Sequence, residues 1–133
     1  MRRIVEDLLR VDGVVGSLLV GKDGLVVAST LLDPEDAEVL GAMSAAVYGE
    51  VDKATKRIGV GGLADAIINA HDGAVLLQES HDLILVVITQ RTVNLGLVKM
   101  EMREAAARGK PTRRLPVHAP AERADYSGTA SLI

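Results

Sequence analysis

The spacing of apolar residues along the chain predicts short elements at its start. Arg2 to Val11 carries apolar side chains on one helical side and ends at Asp12-Gly13, a pair typical of helix termini. Two β-branched runs, 14–20 and 25–29, flank the turn sequence Asp23-Gly24. This pattern indicates a helix followed by a β-hairpin.

A long amphipathic helix is predicted from Pro34 to about Ile58. Asp33 is a capping residue type, proline occupies the first helical position, and the last turns are basic. Apolar residues recur every three or four positions along this segment, which is the period of one helix face. We expect this stripe to face the core; it consists of Leu40, Met43, Val47, Val51, Ala54 and Ile58.

Three strands and a final helix complete the pattern. Strands are predicted at 63–71, 74–80 and 83–89, and the last is so continuously apolar that both its faces should be covered. Thr92 or Asn94 caps a helix that runs to about Ala107. The order α-β-β-α-β-β-β-α predicts an α+β fold, a five-stranded antiparallel sheet with helices on its faces.

The chain length limits the organisation to one main domain. Of 133 residues, those after about 108 show no periodicity and carry three of the four prolines. We expect a domain at 1–108 and an extended C-terminal tail at 109–133.

Charge and composition argue against nucleic acid and membrane insertion. Residues 1–108 hold 11 basic and 16 acidic side chains, whereas 109–133 hold 4 and 2, so no broad basic surface is expected. Phe and Trp are absent, which removes stacking surfaces for bases. The longest uncharged run, 39–49, is too short to cross a bilayer. Cysteine is absent as well, which is compatible with a reducing compartment. We therefore expect the protein to be cytoplasmic.

Side chains suited to catalysis are scattered. His71 and His81 lie at opposite ends of one predicted strand, roughly 20 Å apart at about 3.3 Å per residue, too far for one metal ion. Ser17 lacks the glycines of a nucleophile elbow, and Gly21-Lys22 lacks the remainder of a phosphate-binding loop. We therefore expect no catalytic residue, cofactor or metal site.

Small residues on the central helix point to self-association. Gly41, Ala45 and Gly49 recur every four positions and are flanked by Ala42 and Ala46. Each interior glycine costs up to about 1 kcal/mol relative to alanine, a cost that a solvated helix has no reason to accept. We interpret this ridge as a close contact between the central helices of a symmetric dimer. The alternative is that these residues rest on the chain's own sheet.

The strand at 63–71 is a second candidate dimer surface. We interpret Asp65 as a charge on an edge strand rather than as a buried general base. Two copies are expected to join helix on helix and edge on edge, the latter through Asp65, Ile67 and Asn69.

Several short segments, in their order and spacing, resemble the roadblock/dynein-light-chain family. They are Asp12-Gly13-Val14-x-Gly16, Leu18-Leu19-Val20, Asp23-Gly24, Val26-Val27-Ala28, the acidic start of the Ala-rich helix, and Asn94-x-Gly96-Leu97. The resemblance covers roughly residues 2–107. It implies a roadblock-like α/β/α sandwich and a homodimer in which two sheets join and the central helices pack together.

The resemblance also implies a function. Members of the family are partners of small Ras-like GTPases, and the best-known bacterial kind stimulates a GTPase in the polarity switch of gliding cells. We therefore expect a non-enzymatic homodimer that binds a small Ras-like GTPase and modulates its nucleotide cycle, with Arg57 and Arg91 as candidate partner contacts. Two alternatives stay open: an adaptor that recruits a larger assembly through the dimer surface or the tail, and a small-molecule sensor or hydrolase.

Overall fold

The computed structural model describes residues 2–108 and shows three helices on the two faces of a five-stranded sheet. The elements are α1 (Arg2–Leu9), β1 (Val14–Gly21), β2 (Val26–Ser29), α2 (Pro34–Arg57), β3 (Asp65–Ala70), β4 (Gly73–Ser80), β5 (Leu83–Gln90) and α3 (Leu95–Arg108). The strand order is β2-β1-β5-β4-β3, and all neighbouring strands are antiparallel. The predicted fold class and element order are confirmed. The predicted tail at 109–133 lies outside the described residues.

Two apolar cores lie on opposite faces of the sheet. α1 and α3 cover one face, where Val5, Leu85 and Val98 are fully buried. α2 covers the other face, where Ile84 and Val86 are fully buried. β5 is the middle strand and faces both cores, which confirms that its apolar run is covered on both sides.

Capping residues mark the N-terminal ends of the two longer helices. The Asp33 carboxylate accepts a hydrogen bond from the Glu35 amide at 2.9 Å at the start of α2. The Asn94 side chain accepts one from the Leu97 amide at 3.0 Å at the start of α3. Each bond satisfies an N–H group that has no partner within the helix. The predicted α2 cap is confirmed, and Asn94 caps α3.

α2 rests on the sheet through its small residues. Its buried positions are Ala37, Gly41, Ser44, Ala45 and Tyr48. A Cβ atom added to Gly41 would lie 2.9 Å from Cγ2 of Val26 and 3.3 Å from the Gly24 carbonyl oxygen. Glycine at this position therefore lets α2 approach the β1–β2 hairpin closely.

The predicted orientation of α2 is wrong. The stripe expected in the core is turned outward: Met43 is 60% exposed and Ile58 73%, and Val47 and Val51 are exposed as well. Gly41 and Ala45, expected at a partner helix, are buried against the chain's own sheet. The physical reason is distance, because the close contact between Gly41 and the hairpin leaves no room for a larger side chain at that position.

Candidate interaction surface

The outward face of α2 is a continuous apolar surface. We call Leu40, Met43, Val47, Val51, Ala54 and Ile58 the α2 stripe. Leu40 is half-buried and the other five are exposed, and Val39, which is 55% exposed, lies beside them. A row of large aliphatic side chains facing solvent is a mark of an interaction surface.

The other small residues of the predicted ridge lie on a different side of α2 from the stripe, about 100–160° around the helix from Val47. Ala42 and Ala46 are exposed, and Gly49 is half-buried. A Cβ atom added to Gly49 would meet nothing within 4 Å, so the space around it is open. These three residues remain predicted interface residues, whereas Gly41 and Ala45 do not.

β3 is a bare edge of the sheet. It pairs with β4 in regular register along its whole length, from Asp65 to Ala70, and its sequence contains neither proline nor lysine. Asp65 and Ile67 are half-buried and Asn69 is exposed. The predicted edge position is confirmed, and pairing of this edge with a second copy stays a prediction.

β2, the opposite edge, is protected. A bulge interrupts its register between Leu19 and Val20, which leaves Val27 without a partner on β1 and 49% exposed. The Arg2 guanidinium donates a hydrogen bond to the Ser29 carbonyl at 3.4 Å. Bulges and nearby charges discourage further strand pairing, so the two edges differ in their readiness to bind another strand.

Two side chains of α2 hold the backbone just before β3. The Tyr48 hydroxyl donates to the Leu63 carbonyl at 2.7 Å, and the Leu63 amide donates to the Asp52 carboxylate at 2.7 Å. We call this arrangement the Leu63 clamp. It fixes the bare edge relative to the α2 stripe, although the intervening loop contains Gly59 and Gly61, both with positive φ.

Both titratable groups of the Leu63 clamp have shifted pKa values. The hydrogen bond from the Leu63 amide lowers the pKa of Asp52, and a bond from Lys56 adds to this effect. Burial raises the pKa of Tyr48 to about 12, with smaller contributions from nearby carboxylates. Sequence reasoning missed the clamp; its only signal was the four-residue spacing of Tyr48 and Asp52.

The two arginines proposed as partner contacts lie apart. Both are exposed, Arg57 at the end of α2 and Arg91 just after β5. The chain beyond α2 enters β3 beside Gln78, whereas β5 ends beside Gly73, at the other end of β4. The structure therefore does not bring these two side chains into one site.

Side chains with catalytic potential are dispersed over the described residues. No group of three or more His, Cys, Asp or Glu side chains within residues 2–108 is placed to hold a metal ion. Ser17 is fully buried, and its hydroxyl donates to the Val5 carbonyl at 2.6 Å. None of the helices in this part of the chain is long and apolar enough to cross a membrane.

The architecture and its element order define a roadblock-type α/β/α sandwich. The Roadblock/LC7 domain signature matches residues 2–89, and the chain belongs to this family. The family membership expected from the sequence is confirmed.

The same part of the chain is similar to other proteins and to solved structures. The chain is 44% identical over 104 residues to the uncharacterized protein MJ0714 of Methanocaldococcus jannaschii, covering 78% of this chain and 88% of that protein. The Roadblock/LC7 domain from Streptomyces avermitilis superposes with a TM-score of 0.79 at 21% identity, covering 84% of this chain and 95% of that one. Myxococcus xanthus MglB superposes with a TM-score of 0.73 at 20% identity, with coverages of 79% and 87%. These solved structures establish the shared fold.

Proposed function

We propose that this protein is a non-enzymatic homodimer that binds a small Ras-like GTPase and modulates its nucleotide cycle. Membership in the roadblock/LC7 family carries the GTPase part of the proposal, because the family resemblance implies partnership with such GTPases. The exposed α2 stripe beside a bare strand edge supports the dimer.

The dimer uses two surfaces that the fold holds together. Covering the α2 stripe removes aliphatic area from water, which contributes about 25 cal/mol for each Å² buried. Pairing β3 with its copy satisfies the outward-facing backbone groups of the edge. The Leu63 clamp keeps these two surfaces in a fixed relation, so one association can bury both.

The GTPase supplies the nucleotide and Mg²⁺, and this protein supplies a surface. Binding one nucleotide state of the partner more tightly than the other shifts the partner between states. Stimulation of hydrolysis follows when the favoured state has its switch loops and water-positioning residue in place. Arg57 and Arg91 are proposed contacts on that surface.

The direct test measures GTP hydrolysis and nucleotide release by the cognate GTPase with and without this protein. We expect a changed rate and a complex on gel filtration. A Val47→Glu variant, designed to be monomeric, should lose the effect, whereas Glu38→Gln, an exposed change in the same helix, should keep it. Unchanged rates together with no complex would overturn the GTPase part of the proposal.

Deletion of residues 110–133 separates this proposal from an adaptor role. The tail carries a net positive charge in an otherwise acidic chain, which suits recruitment of an acidic partner. A regulator that acts through the folded domain keeps its GTPase after the deletion. An adaptor that acts through the tail loses its partner.

A further inference from the structure

We infer that the α2 stripe is complementary to itself in the antiparallel direction, with Val47 on the two-fold axis, and that Asp36 and Arg57 close its two ends. This inference rests on the dimer in the proposed function and adds the register and the selectivity of the contact. The partner that α2 selects is a second copy of this chain.

The spacing of the α2 stripe reads the same in both directions. From Asp36 along the stripe to Ile58, successive residues are separated by four, three, four, four, three and four positions. Reversal about Val47 therefore maps the stripe onto itself. It places Leu40 opposite Ala54 and Met43 opposite Val51. A large side chain thus faces a small one in the first pair, and two exposed aliphatic side chains meet in the second.

The charges at the two ends of α2 favour the same orientation. The exposed first turns carry Glu35, Asp36 and Glu38, and the exposed last turns carry Lys53, Lys56 and Arg57. Antiparallel packing brings the acidic start of each helix to the basic end of the other. Parallel packing would place like charges together, which penalises that orientation.

Asp36 and Arg57 lie at the two ends of the α2 stripe and have no competing ion pair in the described part of the chain. Within their own helix, Lys53 lies 3.5 Å from Glu50 and Lys56 lies 3.0 Å from Asp52. Asp36 and Arg57 form no ion pair with any other residue between 2 and 108. In the inferred register Asp36 comes opposite Ile58 of the copy and hence next to its Arg57. The two-fold axis makes this pair twice.

Charge reversal tests the selectivity. Asp36→Arg and Arg57→Asp each place like charges at both ends of their own dimer, and we expect each to weaken self-association by about tenfold or more. Mixing the two variants restores the pairing as a heterodimer. Glu38→Arg is the matched control, because it makes the same charge change about 200° around the helix from Asp36. It should change the dissociation constant by no more than about twofold.

Cysteine cross-linking tests the register, and the natural chain contains no cysteine to interfere. Helices packed about 8–10 Å apart bring facing Cα atoms on the axis within reach of a disulfide. We expect Val47→Cys to form a disulfide-linked dimer under mild oxidation. Met43→Cys and Val51→Cys should each fail to cross-link alone, since each lies about 12 Å from its own copy, and should cross-link when mixed.

The outcomes separate the inference from the dimer itself. Self-linking of Met43→Cys, or a wild-type dimer whose Val47→Cys variant stays unlinked, overturns the register. Charge variants that self-associate like wild type overturn the selectivity and leave the proposed dimer standing. A wild-type chain that sediments as a monomer at high concentration overturns both.

Discussion

At the level of single residues, two buried hydroxyl groups on the sheet differ in whether they have a hydrogen-bond partner. Ser17 is fully buried, and its hydroxyl donates to the Val5 carbonyl, which joins α1 to β1. Thr89 is 3% exposed, and its hydroxyl has no hydrogen-bond partner among residues 2–108. A buried polar group without a partner loses its bonds to water and gains none in return. The first residue therefore stabilises the fold and the second weakens it.

Thr89→Val removes the unpartnered hydroxyl while keeping the branched shape. We expect the free energy of unfolding to rise by about 1 kcal/mol. Urea unfolding at a fixed protein concentration measures it. Ser17→Ala is the companion variant and should lower stability by about 1–2 kcal/mol, because the Val5 carbonyl loses its donor. A destabilised Thr89→Val variant would show that the hydroxyl is satisfied in solution.

Tyr48 should make stability depend on pH in the alkaline range. Its pKa is about 12 in the folded chain against an ordinary value of 10, so folding favours the neutral phenol. The resulting stabilisation is complete below pH 10 and is lost as the pH rises towards about 12. Tyr48→Phe should abolish this alkaline loss, measured as unfolding free energy across that range. The tyrosinate absorbance of the wild type minus that of Tyr48→Phe provides a second readout, and a midpoint near pH 10 in this difference would contradict the prediction.

At the level of elements, α2 has two apolar faces of different character. Small residues and Tyr48 contact the sheet, whereas the aliphatic α2 stripe faces outward. Both faces follow a helical period, so the pattern alone indicates a helix with an apolar surface on each side. The rule that the larger aliphatic face lies inside fails for a helix that packs tightly on a hairpin and leaves its other face open.

Two single substitutions to glutamate, one on each face of α2, test this arrangement. Ala45→Glu places a charge against the sheet and should destabilise the fold by about 3–5 kcal/mol, because the buried charge has no partner. Val47→Glu should leave the circular dichroism spectrum unchanged and convert the dimer to a monomer in sedimentation experiments. A folded, dimeric Val47→Glu variant would remove the α2 stripe from the interface.

Signals from residues close together in the sequence were sufficient to predict most of the fold. The Asp-Gly hairpin, the cap at Asp33 and the continuous apolar run of β5 each depend on neighbouring residues, and the structure confirms all three. The orientation of α2 and the Leu63 clamp depend on contacts between residues distant in the chain. Gly41 gave a hint of close packing, but its neighbour in space, Val26, is not apparent from spacing along one helix.

At the level of the whole molecule, the sheet ends differently on its two sides. The β3 edge is regular and bare, and the β2 edge is bulged and contacted by Arg2. The proposed dimer uses the first and leaves the second in solvent. The two edges can therefore be tested against each other with the same substitution.

A lysine placed on each edge gives that comparison. Ile68 is 40% exposed on β3 and Val27 is 49% exposed on β2. Ile68→Lys should weaken dimerisation by about tenfold or more, since a lysine on an edge opposes strand pairing. Val27→Lys should leave the dissociation constant unchanged. Analytical ultracentrifugation of both variants measures this, and equal effects would argue against β3 as the contact.

The unequal edges also limit how far assembly can proceed. A chain in which both edge strands can pair with other copies could add copies indefinitely and grow into a fibre. In the proposed dimer each copy uses its β3 edge, and the two β2 edges that remain exposed carry a bulge and the nearby Arg2, which discourage further strand pairing. We therefore expect assembly through strand edges to stop at two copies.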